Sequence, residues 1–293
     1  MTYHEALKSA EERLKEAGVP DHSNDAVLLL EKASGKNGAR LLMERDETIP
    51  GREYDRYEEM IRRRMNREPL QYIYGTWEFM GLDFKCSPAC LIPRQDTELL
   101  SMTAIAEIKK MTEESGLGIR LLDMCTGSGC VVISVVKLAE CPGLYAAAAD
   151  ISEDALEIAR QNAESNGVIV DFRQSDMFTR IAENEVFDII TANPPYIETD
   201  VIAGLNPEIN RFEPMIALDG GRDGLKHYRS IVSGAKAHLK NGGSIMMEIG
   251  DTQGKAVSGL LKEAGYREVE VLKDLAGLDR VVRAVRYKEK GEN

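Results

Sequence analysis

The stretch "IRLLDMCTGSGCVVISVVKLAECPGLYAAAAD", residues 119–150, decides the fold. Its two apolar runs, 119–125 and 144–149, are typical of buried strands, and the segment 129–140 between them is predicted to be a helix. Strands that are joined by a crossover helix pair in parallel. The stretch therefore predicts the start of a parallel sheet.

The same alternation continues almost to the end of the chain. Further strands are predicted at 169–173, 186–191, 243–249, 267–273 and 280–287, and further helices at 153–165, 224–240 and 252–264. We expect an α/β fold with a doubly wound, mostly parallel, seven-stranded sheet and helices on both faces. Because only "DLAGL" separates the last two strands, they are expected to form an antiparallel hairpin at or near an edge.

The first 70 residues have a different pattern, in which no strand is predicted. Helices are expected at 2–17, 24–34, 37–44 and 50–66. The chain is therefore expected to have three parts: a small helical domain at 1–70, a β-hairpin linker at 71–95 around Gly75 and Gly81, and a domain at 96–293 that begins with a helix near 96–114.

Composition and charge exclude several classes of protein. The 43% apolar and 29% charged residues are typical of a folded globular protein. The sequence has no apolar run of about 18 residues and no cleavable leader, so we expect a cytoplasmic protein. The net charge of −12 disfavours binding to a nucleic-acid backbone, and the basic cluster "RRRMNR" at 62–67 is interpreted as a solvated helix face.

The five cysteines do not form a recognisable framework. Their number is odd, they include no CxxC pair, and only four histidines accompany them. Neither a set of disulfides nor a metal site is therefore predicted, and packed, reduced thiols are expected.

Ligands of such a sheet bind beyond the carboxyl ends of its strands. After the first strand, Gly127 and Gly129 allow a tight turn and a close approach of the backbone to a ligand, and the next helix offers free N–H groups. Val132 stands where a dinucleotide-binding fingerprint has its third glycine, and no phosphate-binding P-loop is present. A tight turn without any ligand remains the alternative interpretation.

Two acidic residues follow the next two strands. Asp150 is placed to accept both hydroxyls of a ribose, since Ser152 is better placed to cap the following helix. Asp176 is placed to accept from an adenine amino group, with Met177 against the purine face. For Asp176, an exposed loop acid is the alternative.

The stretch "DIITANPPYIET", residues 188–199, ends the fourth strand in an unusual way. Proline cannot donate to a strand ladder, so pairing stops at Pro194 and the backbone stays extended. Asn193 offers a side-chain carbonyl, Pro194 a backbone carbonyl and Tyr196 a flat aromatic face. A planar –NH2 group can donate to both carbonyls while its body lies against Tyr196. The alternative is a non-catalytic adenosine-binding module in which Asn193 and Tyr196 only complete a turn.

These loops resemble those of class I S-adenosylmethionine-dependent methyltransferases that modify planar nitrogens. Other segments resemble the HemK/PrmC family of protein-glutamine methyltransferases: "REPLQYIYGTWEFMGLDFKCSPACLIPRQDTELL" (67–100), "RFEPMIALDGGRDGLKHYRSIV" (211–232), "MMEIGDTQGKAV" (246–257) and "DLAGLDRVV" (274–282). The resemblance extends from about residue 1 to residue 287.

The resemblance implies a Rossmann-like fold and a specific reaction. A methyl group would pass from S-adenosyl-L-methionine, giving S-adenosyl-L-homocysteine, to N5 of the glutamine in the Gly-Gly-Gln motif of class 1 peptide chain release factors, which modulates translation termination. The helical domain would help to dock the release factor, with no metal, no direct nucleic-acid partner and no membrane, and we expect a monomer.

The resemblance also implies roles for particular residues. Asn193, Pro194 and Tyr196 would be catalytic, and Pro195 would join them in binding the substrate. The implied cofactor-binding residues are Asp123, Cys125, Thr126, Gly127, Ser128, Gly129, Asp150, Asp176, Met177 and Asn193.

The chain departs from the family pattern at a few positions. Cys125 and Ser128 occupy the first and fourth positions of a loop that usually reads Gly-Thr-Gly-Thr-Gly, Met177 replaces a common aromatic residue, and Gln95 replaces a proline in the linker. None of these changes removes an obligatory chemical group.

The chemistry would depend on orientation. A carboxamide nitrogen is a poor nucleophile because its lone pair is delocalised into the carbonyl, and these motifs contain no obvious base. Orientation of the amide by Asn193 and Pro194 is therefore the expected source of catalysis. Two other substrates remain open, namely a glutamine of a ribosomal protein and an adenine N6 amino group, the latter disfavoured by the acidic charge.

Overall fold

The predicted sheet is present in the computed structural model, which describes residues 1–115 and 118–287. Residues 116–117 and 288–293 of the predicted 96–293 domain lie outside the described residues. The chain forms two units: unit 1 is Met1–Thr76 together with Leu205–Phe212, and unit 2 is Trp77–Gly204 together with Glu213–Asn293. The inclusion of Leu205–Phe212 in unit 1 was not predicted from the sequence.

Unit 1 is helical, as expected. Its N-terminal helices are α1 (Tyr3–Glu16), α2 (His22–Ser34), α3 (Gly38–Met43), α4 (Gly51–Met65) and α5 (Leu70–Tyr74). Thr2 begins α1 with a reciprocal cap, because its hydroxyl accepts from the Glu5 N–H while its own N–H donates to the Glu5 carboxylate. Tyr57 on α4 is fully buried and donates its hydroxyl to the carbonyl of Ala26 on α2 at 3.0 Å.

The short helix α5 replaces the start of the predicted hairpin. Tyr72 was assigned to the hairpin linker, but the chain is helical there until Gly75, whose φ of +89° ends the helix. Strands β1 (Thr76–Phe79) and β2 (Leu82–Lys85) then form the hairpin as a separate two-stranded sheet. A helix of five residues is too short for its periodicity to be recognised in the sequence.

Buried charges join Leu205–Phe212 to the rest of unit 1. Arg64 donates from Nε to Asp25 at 2.7 Å and from Nη1 to Glu208 at 3.0 Å. Arg67 holds both carboxylate oxygens of Glu208 at 2.7 Å. Because the Arg64 and Asp25 side chains are only 6% and 5% exposed, each charge depends on its partner.

The remaining elements alternate along the chain. They are α6 (Glu98–Ser115), β3 (Arg120–Met124), α7 (Cys130–Leu138), β4 (Tyr145–Asp150), α8 (Glu153–Asn166), β5 (Asp171–Gln174), β6 (Phe187–Ala192), α9 (Thr199–Ile202), α10 (Pro207–Asn210, in unit 1), α11 (Lys226–His238), β7 (Leu239–Glu248), α12 (Gly254–Glu263), β8 (Arg267–Lys273) and β9 (Asp279–Val285). The structure also contains two 3₁₀ turns, Gln95–Thr97 and Met215–Ala217.

The seven strands have the order β5-β4-β3-β6-β7-β9-β8. Strand β3 pairs in parallel with both β4 and β6, so that Leu122 lies opposite Ala147 and Ile190. Strand β9 is antiparallel to β7 and β8, which confirms the predicted hairpin at the edge. The chain moves outward from β3 to β5 and then returns to β6, so the strand order reverses beside β3, the usual place for a ligand in this fold.

The sheet buries both faces. Leu122, Ile190 and Met247 face a cluster that includes Tyr228 of α11 and Val257 of α12. Residues of the opposite parity, such as Leu121, Ile189 and Met246, face a second cluster with side chains of α6 and α7. The doubly wound α/β architecture is therefore confirmed.

Some boundaries differ from the prediction. The helix predicted at 224–240 ends at His238, and β7 begins directly at Leu239, four residues before its predicted start at 243. Among the described residues, no helix is long and apolar enough to cross a membrane.

Candidate active site

A cavity of about 700 Å³ opens in unit 2, beyond the carboxyl ends of β3, β4, β5 and β6. The last residues of these strands and the loops that follow them supply Asp123 to Ser128, Ala149 to Ser152, Ser175 to Met177, and Asn193 with Pro195. The loops after the four strands meet here because the strands are parallel. Most of the predicted site residues are thus brought to one cavity.

Asp123, near the end of β3, fixes the loop that follows this strand. The carboxylate is 1% exposed and accepts from the hydroxyls of Thr126 at 2.6 Å and Thr191 at 2.7 Å. Burial raises the pKa of Asp123 to about 6, against the two hydroxyl hydrogen bonds, which lower it. These two hydrogen bonds tie the start of the loop to Asp123, which also lines the cavity.

The glycine loop has a strained first residue. Cys125, which takes a position usually held by glycine in the family pattern, has a φ of +58°, a left-handed conformation that costs a non-glycine residue about 1–2 kcal/mol. Gly129 is needed for packing, because a Cβ there would lie 2.8 Å from Ile133 and 3.2 Å from Ala159. Gly129 does not line the cavity, whereas Gly127 does and has room beside it.

Asp150, the last residue of β4, forms hydrogen bonds with the loops that follow β3 and β4. Its Oδ2 accepts from the N–H of Gly127 and its Oδ1 from the N–H of Ser152, both at 2.9 Å. Ser152 itself caps α8 by accepting from the N–H of Ala155, as predicted. A carboxylate has about four acceptor positions, so each Asp150 oxygen keeps capacity toward the cavity. Burial raises the pKa of Asp150, and the backbone N–H groups lower it.

Asp176 and Met177 lie at the far side of the cavity. Asp176 is exposed at its rim, and Met177 is half-buried with a φ of +48°. The carbonyl of Met177 accepts from the hydroxyl of Ser175 at 2.6 Å, which fixes this unusual backbone conformation.

The residues after β6 divide between the cavity and the interior. Asn193 lines the cavity and donates from Nδ2 to Oγ1 of Thr97 at 3.3 Å. This hydrogen bond occupies the donor end of the amide, so that Oδ1 is the end left for another donor. Pro195 also lines the cavity, while Pro194 is buried and Tyr196 donates its hydroxyl to Oε1 of Glu248 at 3.3 Å. Neither Pro194 nor Tyr196 is among the residues that line the cavity.

Two glycines press against the backbone of Tyr196. A Cβ at Gly220 would lie 2.7 Å from both C and Cα of Tyr196, and a Cβ at Gly224 would lie 2.5 Å from its carbonyl oxygen. The Gln253 side chain donates to the same carbonyl at 3.0 Å. The end of the Asn-Pro-Pro-Tyr segment is thus fixed by a glycine-rich loop and one amide.

Glu213 binds the segment 89–94, which precedes the 3₁₀ turn Gln95–Thr97. Its carboxylate is 6% exposed, accepts from the N–H of Ile92 at 3.2 Å and pairs with the Arg94 guanidinium. Burial raises the pKa of Glu213, and the Arg94 charge lowers it. Residues 89–94 line the cavity, so this ion pair shapes its wall.

Comparisons with known proteins identify the family of this chain. Residues 5–75 match the PrmC N-terminal domain and residues 105–205 the methyltransferase small domain. A release factor glutamine methyltransferase of Cereibacter sphaeroides is 39% identical over 96% of this chain and 97% of its own length. The chain belongs to the release factor glutamine methyltransferase family.

One further relative and one solved structure are also similar to this chain. A family member from Thermodesulfovibrio yellowstonii is 43% identical over 76% of this chain and 78% of its own length. The solved catalytic domain of hMettl16 has a TM-score of 0.54 and 16% identity, covering 73% of this chain and 78% of that one, which is a likeness of fold alone.

An adenosine-containing cofactor fits the cavity of this family member. Asp150 offers acceptor capacity for two hydroxyls, the turn at Gly127 brings backbone close to the cavity, and Met177 offers an apolar surface beside the Asp176 carboxylate. The set has acceptors for ribose and for an amino group, and no cluster of acidic, cysteine and histidine ligands for a metal is found among residues 1–115 and 118–287.

Several residues at the cavity were missed by the sequence reasoning. They include Cys90, Leu91, Ile92, Thr97, Ile216 and His227. The segments 67–100 and 211–232 had been recognised as family-specific, but their residues lie far along the chain from the strand ends. The family resemblance of these two segments therefore did not show that they form part of the cavity wall.

Proposed function

We propose that this protein transfers a methyl group from S-adenosyl-L-methionine to the side-chain amide nitrogen of the glutamine in the Gly-Gly-Gln motif of class 1 peptide chain release factors. The observation that carries the proposal is Asn193, whose amide is held by Thr97 at its donor end and lines the same cavity as the Asp150 loop. Family membership supports the choice of a release factor glutamine as substrate.

The cofactor would be held by the loops after β3, β4 and β5. Asp150 would accept the ribose hydroxyls, Asp176 would accept from the adenine amino group, and Met177 would pack on the purine face. Asp123 would act by holding Thr126, and thereby the turn that includes Gly127. S-adenosylmethionine supplies an electrophilic methyl group on its sulfonium sulfur.

The substrate amide would be oriented by the residues after β6. Asn193 Oδ1 and the Pro194 carbonyl would accept the two hydrogens of the substrate amide. The lone pair of the amide nitrogen would then be directed toward the methyl group of S-adenosylmethionine. Such orientation contributes on the order of 7–11 kcal/mol in favourable systems. The same carbonyl dipoles would stabilise the positive charge that grows on nitrogen. The new N–C bond would form as the methyl–sulfur bond of the cofactor breaks, giving S-adenosyl-L-homocysteine, and the nitrogen would then lose one proton. Tyr196, with its hydroxyl bonded to Glu248, would present its ring to the flat amide.

Unit 1 would help to dock the release factor, which is the role expected for residues 1–70. Leu42 and Met43 on α3 are 68% and 86% exposed, an apolar pair suited to a protein contact. Replacing both with serine should raise KM for the release factor and leave kcat unchanged. Leu275→Ser, at a fully exposed leucine of unit 2, is the matched control. Equal KM values for both variants would argue against docking by α3.

The reaction is tested directly by mass spectrometry. The protein is incubated with S-adenosylmethionine and a purified class 1 release factor, and the modified peptide is sequenced by fragmentation. We expect one methyl group on the glutamine of the Gly-Gly-Gln motif. An unmodified glutamine, with a cofactor site that binds S-adenosylmethionine, would refute the proposal.

The same assay distinguishes the alternatives. Ribosomal proteins and adenine-containing nucleic acids are offered in parallel, and methylation of either one in place of the release factor would identify the other substrate class. Because translation termination takes place in the cytoplasm, the proposed substrate also implies a cytoplasmic enzyme.

A further inference from the structure

The wall of the cavity includes an apolar pair, Met215 and Ile216, that the proposed reaction does not yet use. Both residues lie on the 3₁₀ turn Met215–Ala217, and they are 55% and 53% exposed. Both line the same cavity as Asn193. Two large apolar side chains that stand exposed at the wall of a binding cavity favour contact with an apolar part of a ligand.

The chain before the apolar pair is fixed by a buried charge. Glu213 is 6% exposed, pairs with the Arg94 guanidinium and accepts from the N–H of Ile92 at 3.2 Å. Glu213 lies only two residues before the start of the turn. The turn is therefore anchored on this side by contacts that do not involve the side chains of the apolar pair.

The chain after the apolar pair is joined to the Asn-Pro-Pro-Tyr segment. Ile197, the residue after Tyr196, donates its N–H to the carbonyl of Leu218 at 3.0 Å and accepts from the N–H of Gly220 at 2.8 Å. Ile197 and Asp219 thus form an isolated parallel bridge. These backbone hydrogen bonds fix the apolar pair relative to the residues that are proposed to hold the substrate amide.

This attachment places the apolar pair with the proposed substrate site. The cofactor would be held by the loops after β3, β4 and β5, whereas the turn is bonded to the segment that follows β6. Because the side chain of glutamine is short, the backbone on either side of a glutamine bound at Asn193 stays close to the cavity wall. The apolar pair is therefore available to the residues next to the target glutamine.

We infer that Met215 and Ile216 recognise the two glycines that precede the target glutamine of the release factor. The inference rests on the proposed function, because it names the part of that substrate which covers the apolar pair. Glycine has no Cβ, so its backbone can lie directly against apolar side chains. A larger residue at the same place would hold the backbone away from the wall, and the glutamine amide would fall short of Asn193.

The chemistry of the apolar pair fits this occupant. Neither side chain carries a charge or a strong hydrogen-bonding group, so the pair offers contact area and shape. A charged segment would find no partner for its side chains on this surface. A glycine-rich loop has no side chains that need one.

The first test replaces the apolar pair in the full-length protein and measures methylation of a release factor. Met215→Ser with Ile216→Ser should raise KM for the release factor about ten- to a hundredfold, because the contact with two half-exposed side chains is lost. The Kd for S-adenosylmethionine should stay that of the wild type. Met102→Ser with Ile169→Ser is the matched control and should retain the wild-type KM, since these residues are 49% and 93% exposed and do not line the cavity.

The second test asks whether the surface recognises glycine itself. A release factor with alanine in place of the glycine next to the glutamine should have a kcat/KM about tenfold or more below that of the natural substrate with the wild-type enzyme. Ile216→Ala should reduce this ratio severalfold, because the smaller side chain leaves room for the added Cβ. A merely structural role of Ile216 would lower kcat/KM for both substrates by the same factor.

The outcomes separate the two levels of the proposal. A wild-type protein that does not methylate the release factor refutes the proposed function, and the inference with it. Methylation by the wild type, together with an unchanged KM in the double serine variant, overturns the recognition role alone. A Kd for S-adenosylmethionine that rises as much as KM would also overturn it, as would an unchanged preference for glycine in Ile216→Ala.

Discussion

Replacing Gly220 with alanine should displace the backbone that carries the proposed substrate-binding residues. The added Cβ would lie 2.7 Å from C and Cα of Tyr196, which falls 0.7 Å short of the 3.4 Å at which ordinary contact begins. It would also lie 2.9 Å from Cα of Gly224. All three atoms belong to backbone, so no flexible side chain can move aside, and the end of the Asn-Pro-Pro-Tyr segment must shift.

A shift of this size is large for an oriented reaction. A misplacement of about 1 Å costs on the order of a hundredfold in rate, so kcat of Gly220→Ala should fall about ten- to a hundredfold. Overpacking of this kind also destabilises by about 1–3 kcal/mol. The Kd for S-adenosylmethionine should change little, because the three atoms nearest to the added Cβ belong to Tyr196 and Gly224 and not to the Asp150 loop.

The assay measures methyl transfer at saturating substrates, with cofactor binding by calorimetry and unfolding by urea. Gly259→Ala is the matched control, since a Cβ there meets nothing within 4 Å and Gly259 lies within α12. It should leave kcat unchanged and stabilise by about 0.4–1 kcal/mol. Wild-type kcat in a folded Gly220→Ala protein would refute the claim that this contact positions the segment.

Other substitutions test separate parts of the account. Asp150→Asn should raise the Kd for S-adenosylmethionine by about ten- to a hundredfold, since a charged acceptor is lost, and Asp154→Asn, at an exposed neighbour, should not; equal Kd values in calorimetry would contradict the ribose role. Arg64→Ala should cost about 3–5 kcal/mol in urea unfolding because it leaves the buried Asp25 carboxylate without its ionic partner. Arg62→Ala, on the same helix but 66% exposed, should cost about 0–1 kcal/mol, and similar losses for both would argue against the buried network. Burial raises the pKa of Glu248 from 4.5 to about 7, so its contribution to stability is present below pH 4.5 and is lost as the pH rises through about 7. The wild type should therefore lose on the order of 3 kcal/mol more than Glu248→Gln over this range, and parallel urea curves would show that Glu248 is not buried as described.

The local parts of the fold could be predicted from the sequence because they depend on local patterns. The apolar runs and the turn at Gly127 and Gly129 indicated β3, α7 and β4, and the positive φ of both glycines agrees with their predicted use. The absence of a helix between β8 and β9 indicated an antiparallel hairpin. Each of these signals acts over a few residues, so periodicity and turn chemistry suffice.

The long-range parts could not be predicted in the same way. Thr97 and Asn193 are 96 residues apart, and nothing in either segment shows that their side chains meet. Gly220 and Gly224 lie in the family-like segment 211–232, but their role depends on how closely they approach Tyr196, which the sequence does not show. The attachment of Glu208 to Arg64 and Arg67 likewise depends on tertiary packing.

The site itself was predicted in outline. Asp150, Asp176 and Asn193 line one cavity, as strand-end residues of a parallel sheet should. Their assigned roles stay predictions, as do those of Pro194 and Tyr196, which are packed beside the cavity wall. The structure adds the Thr97 contact, which specifies the end of the Asn193 amide that is available for a substrate.

The most direct test of the central claim is the effect of Asn193→Ala on two constants measured with one preparation. If Asn193 Oδ1 orients the substrate amide, kcat for release factor methylation should fall about a hundredfold or more, because orientation is lost. The Kd for S-adenosylmethionine should remain close to that of the wild type, since Asp150 and its loop are unchanged. Similar losses in kcat and in cofactor affinity would contradict the claim, because they would place Asn193 in the cofactor site rather than at the substrate.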